Sequence, residues 1–533
     1  MNVGSSEGNR QHQASLEQAV LRPAQDRRYD LLAMAFCLFI AVLALWLGSF
    51  REVGNWGVET DFFERDVIQA ARIVAGQPYT NHHYPPGYAY LLALSSHFTH
   101  DMFTAGKILT GVSVGLIGLV SYRLLTILWG RRPALAAIVL TLLALLPYAV
   151  VASADMVVNL ALLVSMWMLL RHETTRAVCA MAGIAAGVAY LLRYNALFVL
   201  VGAPVALLIL GKETDSWKKR LGRIGVFSGA ALIVMAPWLL VNWHRNGNPF
   251  SSDLYQQVAA HFYHPQGDGF GRTIAEMGQR FTSPWDVMVH DPLRIAKRFF
   301  KDVLYTKAAH LTWRVIEFPA ALFAGAGLLL YFQRMTKKRA AFLILCMAGY
   351  LLHGLAGFAV RFYFFLFPLL FALVVLPIFY FERMPISGRV AGREWAVGWW
   401  VFGLVALAAT YSTYVSTSQF LRLEPKHLLE AASMIKSRAV AGDRIMAIEP
   451  HLAHLTGLEV TSAMVADSLD QYLATVAGEH IRFLVYSEHE EDYWPGLHSL
   501  SQPNQLPKGY RVIYQHGPSR TIVYEIEGAA ASP

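Results

Sequence analysis

Apolar runs dominate the chain, and short basic stretches separate them. The runs stand near residues 31–49, 103–127, 133–151, 156–170, 177–192, 195–211, 223–243, 315–333, 340–359, 364–381 and 395–417. A bilayer core asks for about 20 apolar residues per helix, because hydrocarbon offers no partner to an unpaired backbone group. The pattern therefore predicts eleven membrane-spanning helices, with the fourth to sixth runs the shortest. The first run follows a polar leader and has no small-residue cleavage site before Arg51, so it reads as a retained span.

Composition sharpens this picture. Hydrophobic residues make up 55% of the chain and charged residues 15%, against roughly 25% charged in soluble proteins. Disorder, collagen and coiled coil are excluded. The net charge of +8 matters through its placement rather than its sum, which argues against nucleic acid. Arg22, Arg27 and Arg28 precede the first span. By alternation Arg131 and Arg132, Arg171 and Arg176, Lys218 to Arg223, Arg334 to Arg339, and Arg383, Arg389 and Arg393 fall on the same side. The positive-inside rule makes that side cytoplasmic. The expected organisation is a cytoplasmic tail 1–30, a multi-span domain 31–417 with outer loops 50–102 and 244–314, and an extracytoplasmic unit 418–533.

The outer segments carry the remaining structure. After Thr60-Asp61, the residues Phe63, Val67, Ala70, Ala71 and Val74 recur at helical spacing opposite Glu64, Arg65, Asp66, Gln69 and Arg72, and Gly76 closes the helix. His82-His83-Tyr84-Pro85-Pro86-Gly87 is a stiff extended piece leading into the apolar stretch Tyr88 to Phe98. Two helices lying along the outer surface are expected. Residues 292–301 carry basic and aromatic faces that suit an interfacial helix. From Glu424 onward helix-like stretches (426–439, 466–477) alternate with strand-like ones (444–448, 481–486), and a hairpin pattern over 510–514 and 521–526 ends the chain. The fold class is an all-α polytopic membrane domain with a small C-terminal α/β domain.

Ionisable residues at span ends and in the first outer loop are the candidate chemistry, since burying charge there is costly. Asp61 opens the predicted helix, where it is either a cap or a base. Asp155 lies in the short outer turn Ser153-Ala154-Asp155-Met156. Arg361, Arg193, Lys107 and Arg245 are the outer-side cations, each either a phosphate contact or a snorkelling anchor. His82, His83, His451 and His454 suggest a metal, yet no acidic or cysteine partner is placed to complete a shell, so no metal ligand is assigned. Cys37, Cys179 and Cys346 fall inside apolar runs and carry no chemistry of their own.

Thr60-Asp61, then Ala70-Ala71-Arg72-Ile73-Val74-Ala75-Gly76-Gln77-Pro78-Tyr79, then Tyr84-Pro85-Pro86-Gly87 together resemble the first outer loop of GT-C glycosyltransferases. Within that superfamily the chain is similar to the bacterial family 39-like branch, related to protein O-mannosyltransferases and lipid A aminoarabinose transferases. Asp155, Arg193, Asn246 to Phe250 and Arg361-Phe362-Tyr363 with Pro368 stand where such proteins carry similar residues. The resemblance covers roughly residues 31 to 380. It implies inverting transfer of a sugar from a polyprenyl-phosphate donor to a lipid, glycan or protein hydroxyl at the outer face of a bacterial inner membrane. Asp61 would be the general base, with Asp155 beside it to orient the acceptor or assist. Arg361, with Arg193 or Lys107, would steady the leaving phosphate. No cofactor is required, and a divalent cation is optional with a monophosphate leaving group. The chain departs from the aminoarabinose-transferase pattern just before the double proline: Tyr84 stands where a basic residue is expected, with His83 one place earlier. That leaves the donor sugar open.

Two other classes compete. A secondary transporter or a flippase of a lipid-linked glycan also needs many spans, but transporters show two related halves and these are not visible here. A non-catalytic scaffold would tolerate loss of Asp61. The absence of any Asn-X-Ser/Thr site favours a bacterial envelope. The topology makes a direct prediction: a single cysteine introduced at Ser501 reacts with a membrane-impermeant reagent in intact cells, whereas protection of that position reverses the orientation.

Overall fold

The computed structural model describes residues 27–527, apart from 56, 58, 82, 172–173, 264–269, 318–319, 356, 358, 382–388, 391–392, 395–396, 462–467 and 488–494. Arg22, His82 and Arg383 lie outside the described residues. Each of the eleven apolar runs is helical over most of its described residues. By length and apolarity alone, six helices among the described residues can cross a membrane: Arg27–Ser49, Met102–Trp129, Arg131–Ala149, Trp217–Asn246, Lys337–Leu355 and Val360–Tyr380. A seventh results if the bent pair Pro292–Ile316 and Ala320–Gln333 counts as one span. Asp155–Leu170, Arg176–Leu192 and Tyr194–Leu210 are apolar but shorter. The chain is a multi-pass membrane protein, and the expected number of eleven is a count of helices rather than of full-length spans.

Sequence chemistry sets where these helices begin and how closely they pack. Asp101 accepts hydrogen bonds from the Phe103 and Thr104 amides and starts Met102–Trp129, while Thr175, Ser216 and Thr336 cap three others the same way. Gly183 lets Arg176–Leu192 meet Trp217–Asn246 backbone to backbone, since a Cβ there would stand 2.2 Å from the Phe227 carbonyl oxygen. Gly87 does the same for the outer loop: a Cβ would lie 2.5 Å from the Leu191 carbonyl oxygen. The Pro-Pro-Gly sequence thus seats Gly87–Thr99 on the helix end that carries Arg193.

The C-terminal unit is α/β, as its pattern predicts. Among the described residues its sheet runs Glu459–Thr461, Arg444–Met446, Phe483–Tyr486, Thr521–Ile526, Tyr510–His516 in space. The first three strands are parallel and the last two join antiparallel. Period-2 alternation gives each face its own core: Ile445, Phe483 and Val485 pack with the helix His427–Lys436, and Met446, Leu484 and Tyr486 with Leu469–Gly478. The helix His451–Thr456 and the strand Glu459–Thr461 were not marked in the sequence pattern; both are short.

One buried ion pair fastens the two parts. Arg51 Nη1 donates to Glu59 Oε1 at 2.9 Å, and Nη2 pairs with Oε2. The same carboxylate accepts from the Asn55 amide (2.7 Å) and the Ala152 amide (2.6 Å). Arg51 also donates to the Val150 carbonyl at 3.0 Å, and its Nε lies 3.3 Å from Glu424 at the head of the C-terminal unit. At the same junction the His451 ring packs tilted against Phe63, with 4.6 Å between ring centroids, and His454 Nε2 sits 3.4 Å from Asp101. Glu59→Ala should strand the Arg51 guanidinium without its counter-charge. The expected cost is about 3–5 kcal/mol, seen as a lower unfolding midpoint of the purified protein in detergent. An unchanged midpoint would show that the pair fastens nothing.

Candidate functional site

The site grows from the ends of four segments. Residues 62–67 form a wide helical turn, which buries Phe62 and Phe63 together and leads into Ile68–Val74. Asp61 sits at its head with helical backbone angles, φ −55° and ψ −36°, and its side chain makes no capping bond. Of its two sequence readings, the cap is not the one the geometry bears. Its carboxylate turns instead to Arg361, whose Nη2 donates to Oδ2 at 2.8 Å. Arg361 stands in the tight turn Val360–Leu366 that follows the helix Lys337–Leu352.

Asp155 opens its helix and pairs with Arg193, the residue that ends Arg176–Leu192. The two pairs close into one ring, for Arg193 Nη2 lies 3.8 Å from Asp61 Oδ2 and Arg361 Nε lies 3.9 Å from Asp155 Oδ2. The two guanidiniums balance the charge of the two carboxylates. Burial distinguishes them. The Asp61 side chain is 33% exposed and that of Asp155 is 4% exposed, so Asp61 is the carboxylate a substrate can reach. Burial by itself pushes the Asp61 carboxyl up, but Arg65, Arg361 and Arg193 outweigh it and hold the group below the usual carboxylate range.

Tyr84 joins the ring from the Pro-Pro-Gly loop. Its face carries the Arg65 guanidinium at 3.7 Å and looks toward Arg193 at 5.6 Å. Arg65 also pairs with Asp66 at 3.2 Å. Burial raises the Asp66 carboxyl despite Arg65 beside it. The sequence pattern placed both residues opposite the apolar side of an outer-surface helix, and that polar side is not exposed: Asp66 is 8% exposed, and Gln69 is buried with its amide bonded to Thr80 at 2.9 and 3.1 Å. In a membrane protein the polar side of an outer-loop helix can face a site rather than bulk water. Three charges in succession, Glu64-Arg65-Asp66, were the signal available.

The remaining candidates stand around the ring. His83 accepts at Nε2 from Gln257 Nε2 (3.1 Å), and burial together with Arg65 holds its imidazole below its usual range. Arg245 donates to the Tyr79 carbonyl at 2.8 Å, bracing the loop rather than entering the ring. Lys107 is elsewhere, donating to the Arg51 carbonyl at 2.9 Å over the Phe103 ring. Asn246 to Phe250 is held by Asn242, which donates to the Pro249 and Ser251 carbonyls. Each tail histidine has an acidic neighbour, Glu449 at 3.5 Å from His451 and Asp101 beside His454. Among the described residues no three metal-ligating side chains converge. A mostly apolar groove is lined by Leu140, Tyr148, Phe323, Phe371 and Leu404, with Arg314 and Glu317 as its charged residues, and it includes Val360 next to Arg361 in sequence.

Residues 83–241 match the profile of the family described as dolichyl-phosphate-mannose-protein mannosyltransferase. No curated protein sequence matches the chain. Among solved structures, ArnT from Cupriavidus metallidurans bound to undecaprenyl phosphate superposes with a TM-score of 0.57 at 13% identity, covering 95% of this chain and 100% of that one. Its apo form gives 0.59 at 14% identity, over 94% of this chain and 98% of that one. The Archaeoglobus fulgidus oligosaccharyltransferase gives 0.55 at 14% identity, over 87% and 70%. At such identities the likeness is one of fold, and it extends over the C-terminal unit as well as the helices.

The burial contrast within the ring has a measurable consequence. Arg193→Met leaves Asp155 buried without its cation and should cost about 3–5 kcal/mol, whereas Arg361→Met, whose partner Asp61 is a third exposed, should cost about 1 kcal/mol or less. Thermal unfolding of the two variants in the same detergent compares them. Equal losses would place both pairs at one depth.

Proposed function

We propose that this chain, a multi-pass membrane protein with the fold of the GT-C glycosyltransferases, transfers a sugar from a polyprenyl-phosphate donor to an acceptor hydroxyl at the outer face of a bacterial inner membrane. The observation that carries the reading is the ring of Asp61, Arg361, Asp155 and Arg193, with its one reachable carboxylate. Four segments far apart in sequence bring these side chains to one end of the helical bundle beside an apolar groove. A groove of that kind suits an isoprenoid chain, and Val360, which lines it, is the neighbour of Arg361 in sequence.

The reaction needs a base for the acceptor hydroxyl and cations for the departing phosphate. Asp61 is the base. Arg361 and Arg193 hold the phosphate oxygens, and Asp155, paired with Arg193 and close to Arg361, positions both guanidiniums. The arrangement couples binding to activation. While Arg361 pairs with Asp61 the carboxylate is a poor base, and when donor phosphate takes over that guanidinium the carboxylate regains basicity beside the incoming hydroxyl. The proton then moves to Asp61 as the hydroxyl oxygen attacks the anomeric carbon and the bond to the phosphate oxygen breaks, with inversion.

Asp61→Asn should keep donor binding and lose turnover by a factor on the order of 10² or more. In the wild type, kcat/KM reports the free enzyme and should stay flat from neutral pH down through the ordinary carboxylate range, because the folded Asp61 is held below it. The limb of kcat, reporting the donor complex, should fall at higher pH. Near wild-type transfer by Asp61→Asn would refute the assignment.

A further inference from the structure

Beneath the ring lies a narrow cleft whose walls include Asp155 and Arg361. Asn159, one turn beyond Asp155, lines it; the side chain is almost wholly buried at 3% exposure, and neither amide atom has a hydrogen-bond partner. His353, at 5% exposure, donates from Nδ1 to the Gly349 carbonyl at 2.7 Å. That bond leaves Nε2 as an acceptor, which is buried and also without a partner. Asn195 adds a third such acceptor, its Oδ1. Buried polar atoms are costly when unpaired, so atoms gathered in one cleft point to a ligand that pairs them.

The set consists of three acceptors, Asn159 Oδ1, Asn195 Oδ1 and His353 Nε2, and one donor group, Asn159 Nδ2. Sugar hydroxyls match it, because each donates one hydrogen bond and accepts others. An ammonium group would bring a charge where the nearest carboxylates, Asp155 and Asp61, are already matched by Arg193 and Arg361. A carboxylate would bring only acceptors to face three acceptors. The cleft has room for about one water-sized group, so it takes a hydroxyl group projecting from the sugar and not the ring itself. Since the anomeric carbon is one bond from the phosphate oxygen, a phosphate on Arg361 puts the donor's own sugar at this cleft. We infer that the donor carries an uncharged sugar, and that Asn159, Asn195 and His353 read its hydroxyl groups. This rests on the glycosyl-transfer reading above and adds the class of donor to it.

Binding to the full-length Asp61→Asn protein in nanodiscs tests it without turnover and without knowledge of the acceptor. The probes are undecaprenyl phosphate alone and undecaprenyl phosphate carrying mannose, arabinose, 4-amino-4-deoxyarabinose or galacturonic acid. One of the two neutral donors should bind at least about tenfold more tightly than the amino and acidic ones. Adding Asn159→Leu or His353→Phe should weaken that donor by about tenfold and leave undecaprenyl phosphate alone unchanged. If either variant fails to fold, Asn195→Ala supplies the same comparison. Tightest binding of the amino or acidic donor overturns the inference. So does an unaltered preference in the folded variants, which would mean that the cleft holds water only, and so does equal weakening for the sugar-free lipid. Failure of undecaprenyl phosphate to bind, with or without sugar, would overturn the glycosyl-transfer reading itself and this inference with it.

Discussion

The carboxylate of Glu59 governs the geometry on which everything else depends. It is fully buried and meets the guanidinium of Arg51, the amide of Asn55 and the amide of Ala152 at once. Two residues beyond Glu59 stands Asp61, and three beyond Ala152 stands Asp155. One buried acid therefore fixes the register of an outer loop against a turn between two helices, and with it the distance between the two carboxylates of the site. Arg51 carries the constraint to Glu424, where the C-terminal unit begins. A charge pair so deep is held in place by the penalty for separating it rather than by any large net gain, which suits a part whose task is to stay put.

The ring built on this foundation balances two acids with two guanidiniums, and its parts differ in rigidity. Asp155 and Arg193 sit at helix termini that are packed on all sides. Asp61 and Arg361 come from turns at the surface of the bundle. The buried pair is the frame and the exposed pair the working part. Tyr84 and Arg65 close the side that faces the outer loop, with an aromatic ring between two guanidiniums. Where a basic residue is expected before the double proline, this chain supplies its nearby cation from the preceding helix.

Much of this architecture was legible in the chain. Apolar runs are a one-dimensional signal that helix formation in lipid reads directly, so each run became a helix, and the alternating tail became a sheet with helices on both faces. Asp61, Asp155, Arg193 and Arg361 could be singled out because each interrupts or borders an apolar stretch. Which of them would touch was not legible, since it depends on how helices 38 to 300 residues apart pack. Lys107 and Arg245 looked equivalent to the ring's arginines by position, and only tertiary contact separates them. The Arg51–Glu59 pair escaped notice because both residues lie in a polar loop, where charge ordinarily means exposure. Asp66 escaped for the same reason.

The three shorter apolar helices bear on how the protein sits in its surroundings. Asp155–Leu170 has 16 residues and Arg176–Leu192 has 17, which at about 1.5 Å per residue gives lengths near 25 Å, against roughly 30 Å of hydrocarbon. These are the helices whose ends present Asp155 and Arg193. Asp155–Leu170 has no exposed residue, so protein rather than lipid surrounds it, while Arg176–Leu192 turns Met181, Ile184 and Val188 outward. Thr110, two turns inside the head of Met102–Trp129, exchanges hydrogen bonds with the Ser153 backbone, so the end that presents Asp155 is set back from the end of that longer helix and the site stands in a recess made by helix length alone.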